Sequence, residues 1–170
     1  MDHKELVQRA NKWLKNTKKC GVILIEWYGG PRETPDAIGW VKGKNSILIE
    51  CKTTLNDFKA DSKKYFRKRS GYGMGRERYY MTPPNLIELE DLPKGWGLLE
   101  VYEKKVSVKK KSDINDLTIS SLKNENKILI HALRCITCEI EQENKDLSWF
   151  KYSNHKKREE SIKKYPKNKD

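Results

Sequence analysis

The sequence lacks any long apolar segment. None of its 170 residues belongs to a run of about 18 apolar residues, the length that a membrane-spanning helix needs. The N-terminal stretch MDHKELVQRANKWLKN is amphipathic and charged, and it contains no apolar core of the signal-peptide type. These absences argue against membrane insertion and export, and we expect a cytoplasmic protein.

Several catalytic signatures are also absent. The chain contains no Walker phosphate loop, no G-x-S-x-G nucleophile motif and no glycine-rich dinucleotide fingerprint. Walker-type ATPases, α/β-hydrolases and dinucleotide-dependent oxidoreductases are therefore poor candidates for its function class. The length suits one domain around a single core.

Cysteine is scarce as well. The chain has Cys20, Cys51, Cys135 and Cys138, and in a reducing compartment we expect free thiols rather than a disulfide framework. His131, Cys135 and Cys138 recur at helical spacing, so one helix face could offer three ligands to zinc, with Cys20 or Cys51 as the fourth. Core packing of these side chains is the alternative interpretation, and we favour it.

Positive charge is the strongest departure from an average composition. Lys and Arg number 36 against 24 Asp and Glu, which gives a net charge of +12 and a pI near 9.5. A basic chain favours a polyanionic partner, and nucleic acid comes first because phosphate neutralisation supplies most sequence-independent affinity. We predict DNA as the partner, with RNA as the alternative and no membrane contact. The oligomeric state is not determined by the sequence, and a homodimer is one option.

Helical and extended patterns alternate along the first half of the chain. Residues 2–16 place apolar side chains on one narrow helical face. The runs GVILIEWY, AIGWVKG and SILIEC predict three strands, of which the first looks buried and the last two are joined by a tight turn around Gly43. A capping pattern at Thr54 starts a second helix, which we expect to end near Lys68.

The second half begins with three more strand patterns, RYYMT, GWGLLEVY and KKVSVKKK, the last at a sheet edge. A helical pattern then runs from Ile114 to about Glu143. We therefore predict an α/β fold with a central mixed sheet flanked by helices. Its core covers residues 1–112, a helical segment at 113–150 docks on that core, and residues 151–170 form a basic tail that is weakly helical or disordered.

Acidic and basic residues meet at the end of the third predicted strand. Asp36 begins one strand of the hairpin, while Glu50 and Lys52 leave the end of the other, so antiparallel pairing brings the two carboxylates together. Mg²⁺ takes oxygen ligands and is often held by only one or two carboxylates. Asp36, Glu50 and the backbone carbonyl of Cys51 form such a ligand set, and Lys52 could orient water or stabilise developing charge.

The segments TPDAIG and ILIECK resemble the PD-(D/E)xK nuclease superfamily, whose pattern is an Asp, a spacer and Glu-x-Lys on a core hairpin. The predicted α-β-β-β-α-β order also resembles that superfamily. Within it, ILIECKTTLNDFKADSKKYF, RYYMTPPNL and PKGWGLLEV look most like MmcB-type DNA-repair and related phage nucleases. The resemblance covers residues 3 to 110 approximately.

This resemblance implies a restriction-endonuclease-like fold and phosphodiester hydrolysis that depends on Mg²⁺ or Mn²⁺, in DNA repair, recombination or phage DNA processing. Asp36, Glu50 and Lys52 would be catalytic. Members of the superfamily often add an acid from the first helix, and Glu5 suits that role, with Glu26 and Glu33 as rivals. A non-cutting nucleic-acid-binding or inhibitor protein with the same fold is the alternative function.

Two further groups surround this motif. Asp57 and Asp61, one helical turn apart, are interpreted as capping and ion-pairing residues rather than as metal ligands. A dense basic group with interleaved tyrosines follows, and it is typical of contacts to phosphates and unpaired bases. The predicted nucleic-acid-binding residues are Lys59, Lys63, Arg67, Lys68, Arg69, Tyr72, Arg76 and Arg78.

Overall fold

The computed structural model describes residues 1–28, 33–42, 45–64, 67 and 73–142, and of residues 139–142 it describes the backbone alone. The predicted turn around Gly43 and the predicted basic tail at 151–170 lie outside these residues. The chain divides into two units, Met1–Ile128 and Leu129–Asp170. No helix in the described part of the chain is both long enough and apolar enough to cross a membrane.

The first unit contains a mixed sheet of six strands, which confirms the predicted α/β architecture. The strands lie side by side in chain order. The central strands β3, β4 and β5 are parallel to one another, and the remaining neighbours pair antiparallel. The strands are β1 (Val22–Ile25), β2 (Ala37–Trp40), β3 (Ser46–Cys51), β4 (Glu77–Thr82), β5 (Gly97–Val101) and β6 (Val106–Lys110).

The α-helices whose bounds the structure describes are α1 (His3–Asn16), α2 (Leu55–Asp61) and α3 (Ile119–Gln142), and a short 3-10 helix lies at Leu89–Asp91. Helix α1 starts where the Asp2 carboxylate accepts a hydrogen bond from the Glu5 N–H at 2.7 Å. Its apolar stripe, from Leu6 to Leu14, packs on one face of the sheet.

Strand β3 is buried along its whole length between two cores. Ile47, Ile49 and Cys51 belong to the core under α1, and Leu48 belongs to the core on the opposite face. This alternation is the period of two that a strand requires, and it directs Glu50 to the face opposite α1. Glu125 of α3 fixes the start of β3 to the end of β2, because its carboxylate accepts hydrogen bonds from the Ser46 hydroxyl and from the Trp40 indole N–H.

Three predictions were wrong: the burial of β1, the end of α2 and the start of α3. Strand β1 is not buried: it is the sheet edge, and Val22 is 47% exposed. Helix α2 ends at Asp61 rather than near Lys68, because the chain turns at residues 62–64 and lets Lys64 reach the Asp61 carboxylate at 2.7 Å. Helix α3 begins at Ile119 rather than Ile114, since residues 111–118 are irregular.

The irregular segment before α3 is anchored to the strands. The Asn115 N–H donates to the Arg76 carbonyl at 2.8 Å, and the Asp113 N–H donates to the Gly95 carbonyl at 3.1 Å. The segment therefore belongs to the first unit, which extends to Ile128, past the predicted boundary at 112. The predicted docking of the helical segment beyond Ile128 stays a prediction.

Close packing between β4, β5 and β6 predicts that Gly97→Ala destabilises the fold. A Cβ at this position would lie 2.5 Å from the Tyr79 ring and 2.7 Å from the Lys110 carbonyl oxygen. We expect the free energy of unfolding, measured in urea, to fall by about 1–3 kcal/mol. Gly21→Ala is the matched control, because its Cβ would meet no atom within 4 Å. Equal stability losses in the two variants would contradict this packing.

Candidate active site

The end of β3 carries the predicted Glu-x-Lys pair into a buried position. Glu50 and Lys52 are two residues apart and project to the same side of the strand. Their side chains are only 2% and 5% exposed, and the Lys52 Nζ lies 3.6 Å from the Glu50 Oε2. A buried carboxylate and ammonium side by side are costly unless each has further partners, so the surroundings of this pair define the site.

Asp36 lies beside the same strand end, as the hairpin prediction required. The antiparallel register pairs Ala37 with Ile49, which brings the preceding Asp36 to the end of β3. The Asp36 Oδ2 accepts a hydrogen bond from the Cys51 N–H at 2.6 Å. Its other oxygen, Oδ1, lies 3.5 Å from the His3 Nε2.

Burial makes both carboxylates reluctant to ionise. It raises the pKa of Glu50 to about 7, and the Asp36 and Asp61 charges act in the same direction against the opposing effect of Arg67. Burial also raises the pKa of Asp36, although the Cys51 N–H opposes it. A cation between Asp36 and Glu50 would relieve their mutual repulsion.

Arg67 connects the acids of this site. Its Nη1 donates to the Glu33 Oε1, its Nε donates to the Asp61 Oδ2 at 2.8 Å, and its Nη2 lies 3.1 Å from the Glu50 Oε1. The guanidinium also lies over the Trp96 ring, 4.4 Å from its centroid. Although burial would lower it, the Glu50, Glu33 and Asp61 charges raise the pKa of Arg67.

Asp61 at the end of α2 is completely buried and strongly hydrogen-bonded. Its Oδ2 also accepts from the Tyr80 hydroxyl at 2.7 Å, and its Oδ1 lies 3.6 Å from the Lys52 Nζ. Burial would raise its pKa, but the Arg67 charge and the hydrogen bonds from Lys64, Arg67 and Tyr80 hold the pKa of Asp61 well below its usual range. Asp61 is therefore an ionised anchor for the cations of the site, in agreement with its predicted ion-pairing role.

The three candidates for a further acidic ligand have different surroundings. Glu33 is buried, but its oxygens accept hydrogen bonds from Arg67 and from the Met74 N–H, so it supports the structure. Glu26 is not in a buried strand as predicted: it follows β1 with a positive φ of 45°, and its side chain is half exposed. Glu5 is exposed on α1.

The residue of α1 that reaches Asp36 is His3, which sequence reasoning missed. The His3 Nε2 lies 3.6 Å from the Glu26 Oε1 as well as 3.5 Å from the Asp36 Oδ1. A polar residue in the first turn of α1 was the available signal, but an acid was expected there. Asp61, Lys64 and Tyr80 were also left out of the predicted site, and only the contacts of Tyr80 and Lys64 with the buried Asp61 carboxylate identify them.

The structure corrects part of the predicted nucleic-acid-binding group. Arg67 is inside the acidic cluster, with its side chain 6% exposed, so it offers no surface for phosphate. Arg78 is a structural residue, because its guanidinium donates to the carbonyls of Met74, Gly75 and Gly73. Arg76 is partly exposed and pairs with Asp116.

The exposed members of that group remain available for a ligand. Lys59 and Lys63 are exposed on and after α2. Lys68, Arg69 and Tyr72 lie outside the described residues. A cavity of about 190 Å³ opens beside Lys59, with Phe58, Ser62, Tyr80, Asp91 and Pro93 as its other lining residues.

The donor set at β3 suits magnesium better than a soft metal. Within the described residues, no group of three or more His, Cys, Asp or Glu side chains is arranged to hold a metal ion. Mg²⁺ needs fewer protein ligands, because it keeps several waters and shares a substrate phosphate. The Glu50 Oε1 is buried and is paired with the Arg67 Nη2 at 3.1 Å, so a metal ion would have to share this oxygen with the guanidinium. Asp36 and Glu50 are the residues that would hold such an ion.

The residues of the predicted zinc alternative are placed as follows. The Cys135 Sγ lies 3.9 Å from the His131 Nδ1, while Cys138 is exposed. Cys20 and Cys51, the proposed fourth ligands, are buried in the first unit. All four cysteines are free thiols, as predicted.

Comparisons with known proteins show a shared fold. No protein-family model and no curated protein matches the chain. A solved structure, the SPO1766 protein of unknown function from Silicibacter pomeroyi, is similar over 84% of this chain and 94% of that chain, with 20% sequence identity and a TM-score of 0.59. Its fold is shared with this chain.

The raised pKa of Glu50 predicts a pH dependence of stability. The native carboxyl keeps its proton up to a pH of about 7, whereas the unfolded one loses it near 4.5, so this contribution to stability is complete below pH 4.5 and is lost as pH rises through about 7. Relative to Glu50→Gln, the wild type should lose about 3 kcal/mol of unfolding free energy across that window, measured in urea with EDTA.

The exposed Glu88→Gln variant controls for any general effect of removing a carboxylate. Its unfolding free energy should follow the wild-type profile at every pH. Parallel profiles for wild type and Glu50→Gln would show that the Glu50 carboxyl titrates alike in the folded and unfolded chain, which contradicts its burial.

Proposed function

We propose that this protein is a divalent-metal-dependent nuclease of the PD-(D/E)xK type that hydrolyses phosphodiester bonds in DNA. The observation that carries the proposal is the meeting of Asp36 and Glu50 at the end of β3, with the buried Lys52 two residues further on the same side. Buried charges are expensive for a fold, so an arrangement that keeps the buried Glu50 and Lys52 beside the partly buried Asp36 favours a chemical role.

The restriction-endonuclease-like fold is part of this proposal. The element order α1, β1, β2, β3, α2, β4 matches the α-β-β-β-α-β order of the superfamily, and β3 is the strand that carries its Glu-x-Lys. Resemblance to the MmcB-type and related phage nucleases suggests a role in repair, recombination or phage DNA processing. RNA is the alternative substrate.

The metal ligands would be Asp36, Glu50 and the backbone carbonyl of Cys51. When bound, Mg²⁺ or Mn²⁺ supplies charge that polarises the scissile phosphate and lowers the pKa of a coordinated water. The chain's own part is to hold the ligands rigidly. The Cys51 N–H fixes the Asp36 carboxylate, and the two flanking cores keep β3 in place.

Lys52 would act on the attacking water or on the phosphate. Its ammonium is surrounded by carboxylates at 3.6 Å from Glu50, 3.7 Å from Asp57 and 3.6 Å from Asp61, which keep the side chain at the site. From there it could donate a hydrogen bond to the attacking water or to a phosphate oxygen as negative charge develops. Asp57 is the most exposed of these three partners, at 50%, whereas the Lys52 side chain itself is 5% exposed.

One observation favours the alternative of a nucleic-acid-binding protein that does not cut. The Glu50 Oε1 is 3.1 Å from the Arg67 Nη2, and its Oε2 is 3.8 Å from the Lys64 Nζ, so cations of the chain already balance this carboxylate. A protein that had given up metal binding would hold its acids in this way. The two functions differ in whether phosphodiester bonds are broken.

The nuclease proposal predicts that Asp36→Asn, Glu50→Gln and Lys52→Gln each reduce Mg²⁺-dependent cleavage by about 100-fold or more, because each removes a metal ligand or a stabilising charge. Cleavage is measured on single-stranded, duplex, nicked and branched DNA and on single-stranded RNA, with Mg²⁺, with Mn²⁺ and with EDTA. DNA binding in EDTA and the circular dichroism spectrum should stay close to those of the wild type.

Glu88→Gln is the matched control and should cleave like the wild type. A wild-type protein that binds DNA but cleaves none of these substrates with either metal would support the non-cutting alternative. Undiminished cleavage in the three site variants would contradict the assignment of these residues.

A further inference from the structure

A basic groove lies on the α1 side of the sheet, away from the face on which Glu50 projects. It has a volume of about 240 Å³ and runs between α1 and the turn that joins β5 to β6. Four cations line it, namely Arg9, Lys12, Lys104 and Lys105, together with Trp13 and Asn16. The α1 residues recur at three and four positions, so they form one stripe of the helix that faces the turn.

The groove is held together by neutral partners. Arg9 donates from Nη2 to the Tyr102 carbonyl at 2.7 Å and from Nη1 to the Glu103 carbonyl at 3.1 Å, which joins α1 to the turn. The Lys105 Nζ lies over the Tyr102 ring, 5.8 Å from its centroid. A carbonyl or a ring fixes a cation without cancelling its charge.

The acidic residues next to the groove in the chain are Glu100 in β5 and the exposed Glu103 of the turn. None of the residues that line it is acidic. Glu100 of β5 is buried and engaged elsewhere, because its Oε2 accepts from the Tyr102 hydroxyl at 2.7 Å and lies 3.5 Å from the Lys109 Nζ. The candidate active site is the opposite case, since Lys52, Lys64 and Arg67 are balanced there by buried acids.

We propose that this groove binds the phosphate backbone of nucleic acid. Four cations drawn from two elements suit a chain of phosphates, and Asn16 and Thr17 add polar groups at one end. An anionic membrane fits less well, because the two apolar residues that line the groove are packed against the core: Trp13 is 5% exposed and Val106 is partly buried.

The position of the groove connects it with the candidate active site. Strands β3 and β5 are both parallel to β4, so the turn after β5 lies beside the C-terminal end of β3. Two strand spacings separate these ends, about 10 Å. A nucleic-acid strand held in the groove could therefore continue across the C-terminal ends of these strands towards Asp36 and Lys52. The inference deepens the proposed function and rests on it only for the identity of the polyanion.

The test compares two triple variants with the same change in net charge. Lys12→Glu, Lys104→Glu and Lys105→Glu reverse the charge of the groove and leave the structural Arg9 in place. Lys94→Glu, Lys123→Glu and Lys127→Glu reverse three exposed lysines that line neither the groove nor the candidate site. Affinity for labelled single-stranded and duplex DNA is measured by fluorescence anisotropy in EDTA over a range of salt concentrations.

The groove variant should bind DNA at least about tenfold more weakly than the wild type, with a salt slope smaller by about 2 to 3, while the control variant changes little. Equal losses of DNA affinity in both variants, or no loss of DNA affinity in the groove variant, would overturn the proposal. The proposal would also be overturned if the groove variant lost binding to vesicles containing phosphatidylserine but kept its affinity for DNA. Circular dichroism verifies that both variants are folded.

Wild-type cleavage with Mg²⁺, measured in parallel, separates this inference from the nuclease proposal. Selective loss of DNA binding in the groove variant supports the groove even if the wild type cuts nothing. Wild-type cleavage together with equal DNA affinity of the two variants overturns the groove and leaves the nuclease proposal standing.

Discussion

The Arg67 guanidinium is the interaction on which the candidate site depends. It joins Glu33 before β2, Glu50 of β3 and Asp61 of α2, and it stacks on Trp96 before β5. Removing Arg67 would leave the buried Glu33 and Asp61 without this cation, and breaking a buried ion pair costs about 3–5 kcal/mol. Four separate parts of the chain are thereby held around one charge.

This network explains how a buried strand can present charged side chains. Lys52 shares the Asp61 carboxylate with Lys64 and Arg67 and has Glu50 and Asp57 as further acidic neighbours, although its side chain is only 5% exposed. Asp36 stands at the margin of the network, with one oxygen on the Cys51 N–H and the other near His3. A divalent cation bound between Asp36 and Glu50 would replace the protein cations as the charge that balances these two carboxylates.

Local pattern was sufficient to predict the hairpin and its charged end. The apolar run of β3, its period of two and the antiparallel return from Asp36 are set by neighbouring residues, and the structure brings them together as expected. Arg67 was expected on the surface because it lies among Lys and Arg residues. Its burial depends on Glu33 and Trp96, which are distant in the chain.

The same limit explains the wrong boundaries. The helical pattern after Thr54 continues to Lys68, but α2 ends at Asp61, and the turn that follows brings Lys64 to the Asp61 carboxylate. The run at β1 is as apolar as a central strand, and only the order of strands in the sheet makes it an edge. Tertiary contacts therefore decided the features that propensity and spacing left open.

Binding of Mn²⁺ tests the assignment of Asp36 and Glu50 most directly, because it asks for the cation site itself without requiring a substrate. Anomalous diffraction from crystals soaked in Mn²⁺ should show a peak between these two carboxylates in the wild type and none in Glu50→Gln. A wild-type crystal without a peak there, or a variant crystal that keeps it, would contradict the account.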